Sequence, residues 1–328
     1  FRASGRPIKH EDVTILDMSV GKGFNGDDVQ SRIEEAEISA GNAPDYIISD
    51  NGHNLTKGIT GSRHIHHADI SHSMGVILKN VYEKQSDFVE FTTLLGKKRL
   101  QYHLTDKAYL LPPNMRTISR FMNMSSWVFW GNEMLDCYDT LPEKIQEAYA
   151  FIKDYESLLK ELQAVVCAVR HVEAICKNEG FSIMTSRKCK LHIITHVLGN
   201  AHSRQVHAGI KMLEYFNREE ALLTANMSIN VSSDIIESTF GIYKSKKSPN
   251  KLYGVTSFVL TIPLYPKVSN ESVTKTINFK ERIVNVKLKD ISTWSTEHLS
   301  KKLGYRTNQK RLGKRAKIGT TNWTPYFI

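Results

Sequence analysis

The sequence predicts an α/β chain whose sheet-forming ends are separated by a large all-α block. Two short apolar runs, Val13–Val20 and Tyr46–Asp50, flank an amphipathic segment and predict the sheet. The stretch Glu143–Glu179 contains neither glycine nor proline and predicts the helical block. The expected division is 1–72 as the first part of an α/β core, 73–227 as a helical insertion, 228–291 as the second part of the core and 292–328 as a basic tail.

Each element follows from local pattern. Val13–Val20, VTILDMSV, is the kind of run that a strand covered on both faces shows. Gly21, Gly23, Asn25 and Gly26 break it. Asp27–Ala40 then places Val29, Ile33, Ala36 and Ala40 on one helical face. Asp27 and Asp28 stand where the helix dipole favours anions, and Gly41-Asn42 closes the turn. Pro44-Asp45 introduces a second strand that ends at Asp50, and Asn51-Gly52 turns it. Leu55–Ile59 reads as a short helix and His64–Ile70 as a third strand. Strand–helix–strand at this length implies a right-handed parallel crossover.

From Ser73 to Met227 the pattern is helical. Ile145, Ala148, Ile152, Tyr155, Leu159, Leu162, Val166 and Val169 recur at three and four residues, as in one long helix or a pair. Further helical text runs through Lys188–Leu198 and Ala208–Thr224. Ser232–Lys244 has the look of a capped helix start, and Leu252–Leu264 is apolar without a clear period.

A chain of 328 residues holds two or three modules, and 41% hydrophobic with 24% charged residues places it among globular proteins. No run approaches the roughly 20 apolar residues of a membrane helix. The start, Phe1-Arg2-Ala3-Ser4-Gly5, has neither an initiator Met nor a signal-peptide pattern and leads us to expect a fragment with residues missing before it. Cys137, Cys167, Cys176 and Cys189 form no CxxC pair, so a disulfide framework and a zinc finger are not expected; they read as reduced thiols of an intracellular protein.

The net charge of +10 is local. Lys301, Lys302, Arg306, Lys310, Arg311, Lys314, Arg315 and Lys317 lie in one stretch, and no acidic residue follows Glu297. Taking these eight cations from +10 leaves +2 for residues 1–300. Clustered cations around Tyr305 suit a nucleic-acid backbone, through release of counterions. The same composition also suits a solvated terminus.

Several residues are candidates for chemistry. Asp50 ends a predicted parallel strand, where ligands of open α/β sheets bind; Asp-Asn-Gly is also a good turn. Glu237 lies near a predicted helix start, and Asp234-Ile235-Ile236-Glu237 also fits a capping box. Lys244 is seven residues on, close to the same helical face. His64, His66, His67 and His72 suggest a zinc set, but His66 and His67 point to opposite faces of a strand. Asp69-Ile70-Ser71-His72 is retained as a hydrogen-bonded pair near the sheet's edge.

In this order the motifs resemble the RNase H-like catalytic core of DDE transposases encoded by bacterial insertion sequences, in the branch with an α-helical insertion. Pro44–Gly52 resembles the strand carrying the second catalytic Asp. Asp69-Ile70-Ser71-His72 matches the family's Cys-or-Asp, two residues, His signature. Ile236–Gly241 with Lys244 resembles the helix bearing the catalytic Glu. Pro112–Arg116 and Arg120–Asn123 resemble segments of the insertion. The resemblance spans Val13 to Leu264. It implies an RNase H-like mixed sheet and two-metal cleavage and strand transfer at element ends. In that reading Asp50 and Glu237 are catalytic and metal-binding, and the metal is Mg²⁺ or Mn²⁺. Lys244 and the tail cations contact DNA. The implied partners are transposon ends and target DNA, held by a homo-oligomer in the bacterial nucleoid, with no membrane. The family's first Asp belongs two strands before Val13–Val20, and no residue here takes its place; Asp17 falls on the third strand. The alternatives are a nuclease that cuts without joining, a non-catalytic DNA-binding remnant of a transposase, and a helical scaffold with a zinc-bound histidine site.

Overall fold

The computed structural model describes residues 8–21, 23–114, 121–199, 202–224, 226–247, 255–268, 274–275, 278–284 and 286–299. The chain divides into two compact units, and the second is built from two stretches that flank the main body of the first in sequence. Among the described residues, the first unit comprises His67–Ser232, and the second Ile8–His66 with those from Ser233 onward.

The expected RNase H-like α/β mixed sheet is not found. Helix accounts for 71% of the described residues and strand for 3%. Among the described residues the sheet is one parallel pair, β1 (Ile47–Ser49) with β2 (His66–Ala68). The physical reason lies in what the apolar runs do. Val13–Val20 forms no named strand, and its only bridge residue is Ser19. Its side chains Ile15, Met18 and Val20 instead pack on a cluster of Tyr243, Val259 and Ile262. An apolar run states that side chains are covered, not which backbone pairs with which. The predicted third strand, His64–Ile70, is cut short because Asp69 turns the chain into a helix.

The first unit is a helical assembly. Its elements are α3 (Ile70–Tyr82), α4 (Ser86–Tyr102), α5 (Met124–Cys137), α6 (Glu143–Tyr149), α7 (Glu156–Glu179), α8 (Ile183–Ile193) and α9 (Ser203–Ala221). The predicted long helix is thus a pair, α6 and α7, joined by a 3-10 segment at Ala150–Tyr155. A single π-helical turn, Ile194–Leu198, continues α8. In α7, Leu158, Leu159, Leu162, Val165, Val166, Val169, Val172 and Cys176 are buried at the three- and four-residue spacing of one face. Gly131 of α5 permits close approach to α7, since a Cβ there would lie 2.6 Å from Leu159 Cδ2. The core is aromatic: Trp127 lies 5.8 Å from Phe88 and 6.0 Å from Phe91 between ring centroids. Within the segments that resemble the transposase insertion, Phe121 stacks on Phe88 and the Pro112 carbonyl accepts from Arg99. Met115, Arg116 and Arg120 lie outside the described residues.

In the second unit, α1 (Gly26–Ala40) packs on α2 (His53–Gly61). Asn25 caps α1 by accepting from the Asp27 and Asp28 amides, and Asp28 accepts in return from Asn25. Val29, Ile33 and Ile59 form the core of this pair. Gly58 is required by the approach of the two helices, because a Cβ there would fall 2.5 Å from Val29 Cγ1 and 2.7 Å from the Gly26 carbonyl. The later part of the unit carries α10 (Asp234–Lys246), a 3-10 turn at Ser257–Thr261, α11 (Leu264–Val268), and helices at Phe279–Val284 and Leu288–His298. Among the described residues no helix is long and apolar enough to cross a membrane.

Candidate functional site

Asp50 follows the last residue of β1 and is exposed. Its Oδ1 accepts from the Gly52 amide at 3.1 Å, and its backbone carbonyl accepts from Ser49 Oγ at 2.7 Å. The turn role therefore holds one carboxylate oxygen in place.

Glu237 lies in the first turn of α10, also exposed, in the same unit as Asp50. The capping box expected from Asp234-x-x-Glu237 is displaced by one residue. Asp234 is the first helical residue and Ser233 is the cap, so the box position falls on Ile236. Beside Glu237, His10 bridges two hydroxyls: Nε2 is 3.1 Å from Ser238 Oγ, and Nδ1 is 3.4 Å from Thr239 Oγ1. Thr239 donates its own proton to the Ile235 carbonyl at 2.8 Å. Its oxygen is then an acceptor toward His10 Nδ1. This chain of bonds ties the 3-10 turn His10–Asp12 to the start of α10.

Lys244 is exposed on α10, with Nζ 5.9 Å from the centre of the Phe240 ring. Asp17 pairs with Arg32 at 3.7 Å and accepts from Ser19 Oγ at 3.4 Å. The tail cations Lys301, Lys302, Arg306, Lys310, Arg311, Lys314, Arg315 and Lys317 lie outside the described residues.

The Asp69–His72 pair is local to a helix start. Asp69 caps α3, and its Oδ1 accepts the backbone amide of His72 at 2.6 Å. The histidines disperse rather than converge. His64 meets Glu37, His66 Nε2 meets Ser49 Oγ at 2.8 Å, and His67 Nδ1 meets Glu219 Oε2 at 2.9 Å. Among the described residues, no three His, Cys, Asp or Glu side chains come together as a group able to hold a metal ion.

The first unit holds two buried polar networks that sequence reasoning missed. In one, Glu219 accepts from the Ala68 amide at 3.2 Å and from Arg218 at 3.0 Å, besides its bond with His67; Glu219 and His67 are each 1% exposed. In the other, Arg204 donates to Glu161 at 3.1 and 2.7 Å and to Asp87 at 2.8 Å, while Tyr82 Oη donates to Glu161 at 2.9 Å. Burial, then the Glu161 charge, pushes the Tyr82 phenol far up. Burial also raises the Asp87 carboxyl, but the hydrogen bonds from Arg204 and the Phe88 amide outweigh it, and the net shift is downward. The bond to Asp87 leads the influences that push the Arg204 guanidinium up. The partners in these networks come from distant parts of the chain, so no local pattern announces them.

No family model, curated protein or solved structure matches the chain.

Proposed function

We propose that the chain is a transposase-type protein that binds DNA, with Asp50 and Glu237 as carboxylates of a DNA-processing site. The observation that supports this reading is the joint placement of the two residues. They are far apart in sequence, separated by a helical unit, yet both stand exposed on the second unit. The order of the Asp50, Asp69-x-x-His72 and Glu237 motifs supports it too. Lys244 follows Glu237 two helical turns on and suits a phosphate oxygen. Carboxylate oxygens at these positions suit a hard cation such as Mg²⁺ or Mn²⁺. No residue here aligns with the first Asp of the resemblance, and residues 1–328 are proposed to bind DNA but to cleave it poorly or not at all. Copies of the chain assembling on DNA belong to the same proposal.

The test is a fluorescence-anisotropy titration with a labelled duplex across a salt series, beside a cleavage assay in Mg²⁺ or Mn²⁺. Binding should weaken steeply with salt. Removing residues 301–328 should lower the slope of log K against log salt by up to roughly 7, about 0.9 for each phosphate contact that the eight cations make. Lys244→Ala should lower it by about 1. Absence of binding at low salt would sink the DNA reading. Metal-dependent cutting that survives both Asp50→Asn and Glu237→Gln would remove these residues from the site.

A further inference from the structure

The interface of α7 and α8 carries a second chemistry, unrelated to the DNA reading. Cys176 of α7 and Cys189 of α8 face each other with their sulfurs 3.9 Å apart. Both side chains are fully buried, and Cys189 also lies 3.9 Å from the Val172 carbonyl. The other two thiols differ: Cys137 is half-buried, Cys167 is exposed, and neither has another sulfur within hydrogen-bond reach among the described residues. A disulfide needs its sulfurs about 2.05 Å apart. Closing the gap from 3.9 Å therefore asks for a relative movement of roughly 1.9 Å. We propose that Cys176 and Cys189 are an oxidative modification site, at which a peroxide converts the two thiols into a disulfide that joins α7 to α8.

The step balances in two parts. One thiol loses its proton and the thiolate attacks a peroxide oxygen; the O–O bond breaks, the sulfur becomes a sulfenic acid, and the departing oxygen takes up that proton to leave as alcohol or water. The second thiol then attacks that sulfur, the S–S bond forms, and water carries away the hydroxyl. Two thiols are oxidised by two electrons and one peroxide is reduced by two. A resolving thiol beside the first sulfur makes the disulfide the end product, where an isolated thiol proceeds to sulfinic acid. Hydrogen bonding to Cys189 and burial together push the Cys176 thiol far up, so thiolate is scarce in the closed interface. The pair is therefore protected at rest and reacts when the two helices part, and its rate should rise under mildly destabilising conditions.

The experiment uses the full reduced chain, incubated with hydrogen peroxide for hours, alkylated, and mapped by non-reducing peptide mass spectrometry. The expected result is a cross-linked Cys176–Cys189 peptide, two hydrogens lighter than the reduced pair. The thiol count of the unfolded protein should fall by two through this pair, and dithiothreitol should restore it. A chain with Cys137→Ser and Cys167→Ser should give the same cross-link, with its count going from two to none. Recovery of Cys176 and Cys189 as alkylated thiols after Cys167 is fully oxidised would overturn the proposal. So would their recovery as separate sulfinic acids or as bridges between chains.

Discussion

Arg204→Met isolates a buried charge in the first unit. Glu161 is 2% exposed and its carboxylate takes both of its short ionic contacts from Arg204, whose own side chain is 25% exposed. Methionine keeps the aliphatic stem and removes the charge, leaving Glu161 with the Tyr82 hydroxyl as its remaining close donor. Removing one partner of a buried pair costs about 3–5 kcal/mol, because the other charge stays behind. Solvent reaches Arg204 from one side, which places the expected loss at the lower end, about 3 kcal/mol. For a unit of this size that corresponds to a fall in the thermal midpoint of roughly 6–12 °C. Urea unfolding followed by circular dichroism should show a lower midpoint with an unchanged slope. The companion variant Glu161→Gln/Arg204→Met removes both charges and should recover more than half of the loss. A single-variant loss below about 1 kcal/mol, or a double variant as unstable as the single, would refute the argument that Arg204 compensates a buried Glu161 charge.

Three further outcomes are expected. Asp69→Ala should destabilise α3 by about 1 kcal/mol while Asp69→Asn changes little, since either Asp or Asn can accept from the His72 amide; amide hydrogen exchange at the start of α3 reports it. Gly58→Ala should force α1 and α2 apart, costing about 1–3 kcal/mol and opening the Val29–Ile59 contact, as seen in exchange of the α1 amides. His192 is stacked between His171 and His196, at 3.9 and 4.2 Å between ring centroids, and burial first, then these two neighbours, lowers its pKa. Its folded value lies below its unfolded one, so the unfolded chain binds the proton more readily. Its contribution to stability is present above about pH 6.5 and is lost as pH falls through the lowered folded value; an NMR titration of the ring protons checks the direction.

What the sequence made legible was local. The period of Val29, Ile33 and Ala36 marked α1, and Gly41 closes it at φ 72°, where glycine is favoured. The Gly- and Pro-free text likewise marked α6 and α7 as helical. The sheet was not legible, because the partial burial of Ile15, Met18 and Val20 against Tyr243, Val259 and Ile262 leaves the same apolar signature as burial in a sheet. The histidines read as structural, since His66 and His67 point to opposite faces, and their partners Glu37, Ser49 and Glu219 come from three separate elements that no spacing names. The Cys176–Cys189 contact joins two helices across a turn, and thirteen residues of separation match no known cysteine motif.

The two candidate carboxylates differ in how cleanly a substitution can question them. Asp50 has a structural duty, since its Oδ1 holds the turn at Gly52. Asp50→Ala would disturb that turn along with any chemistry, whereas Asp50→Asn keeps the acceptor and removes only the charge. For Glu237 the competing duty suggested by the sequence falls away, because α10 starts at Asp234 and the capping-box position is Ile236. Glu237 retains the first-turn preference for a negative charge, together with Asp234. Neutralising such a charge costs about 0.3–1 kcal/mol. An effect of Glu237→Gln on DNA processing that accompanies a stability change within that range would therefore come from the carboxylate's charge. An effect that scales with unfolding would return Glu237 to the role of a helix-start acid.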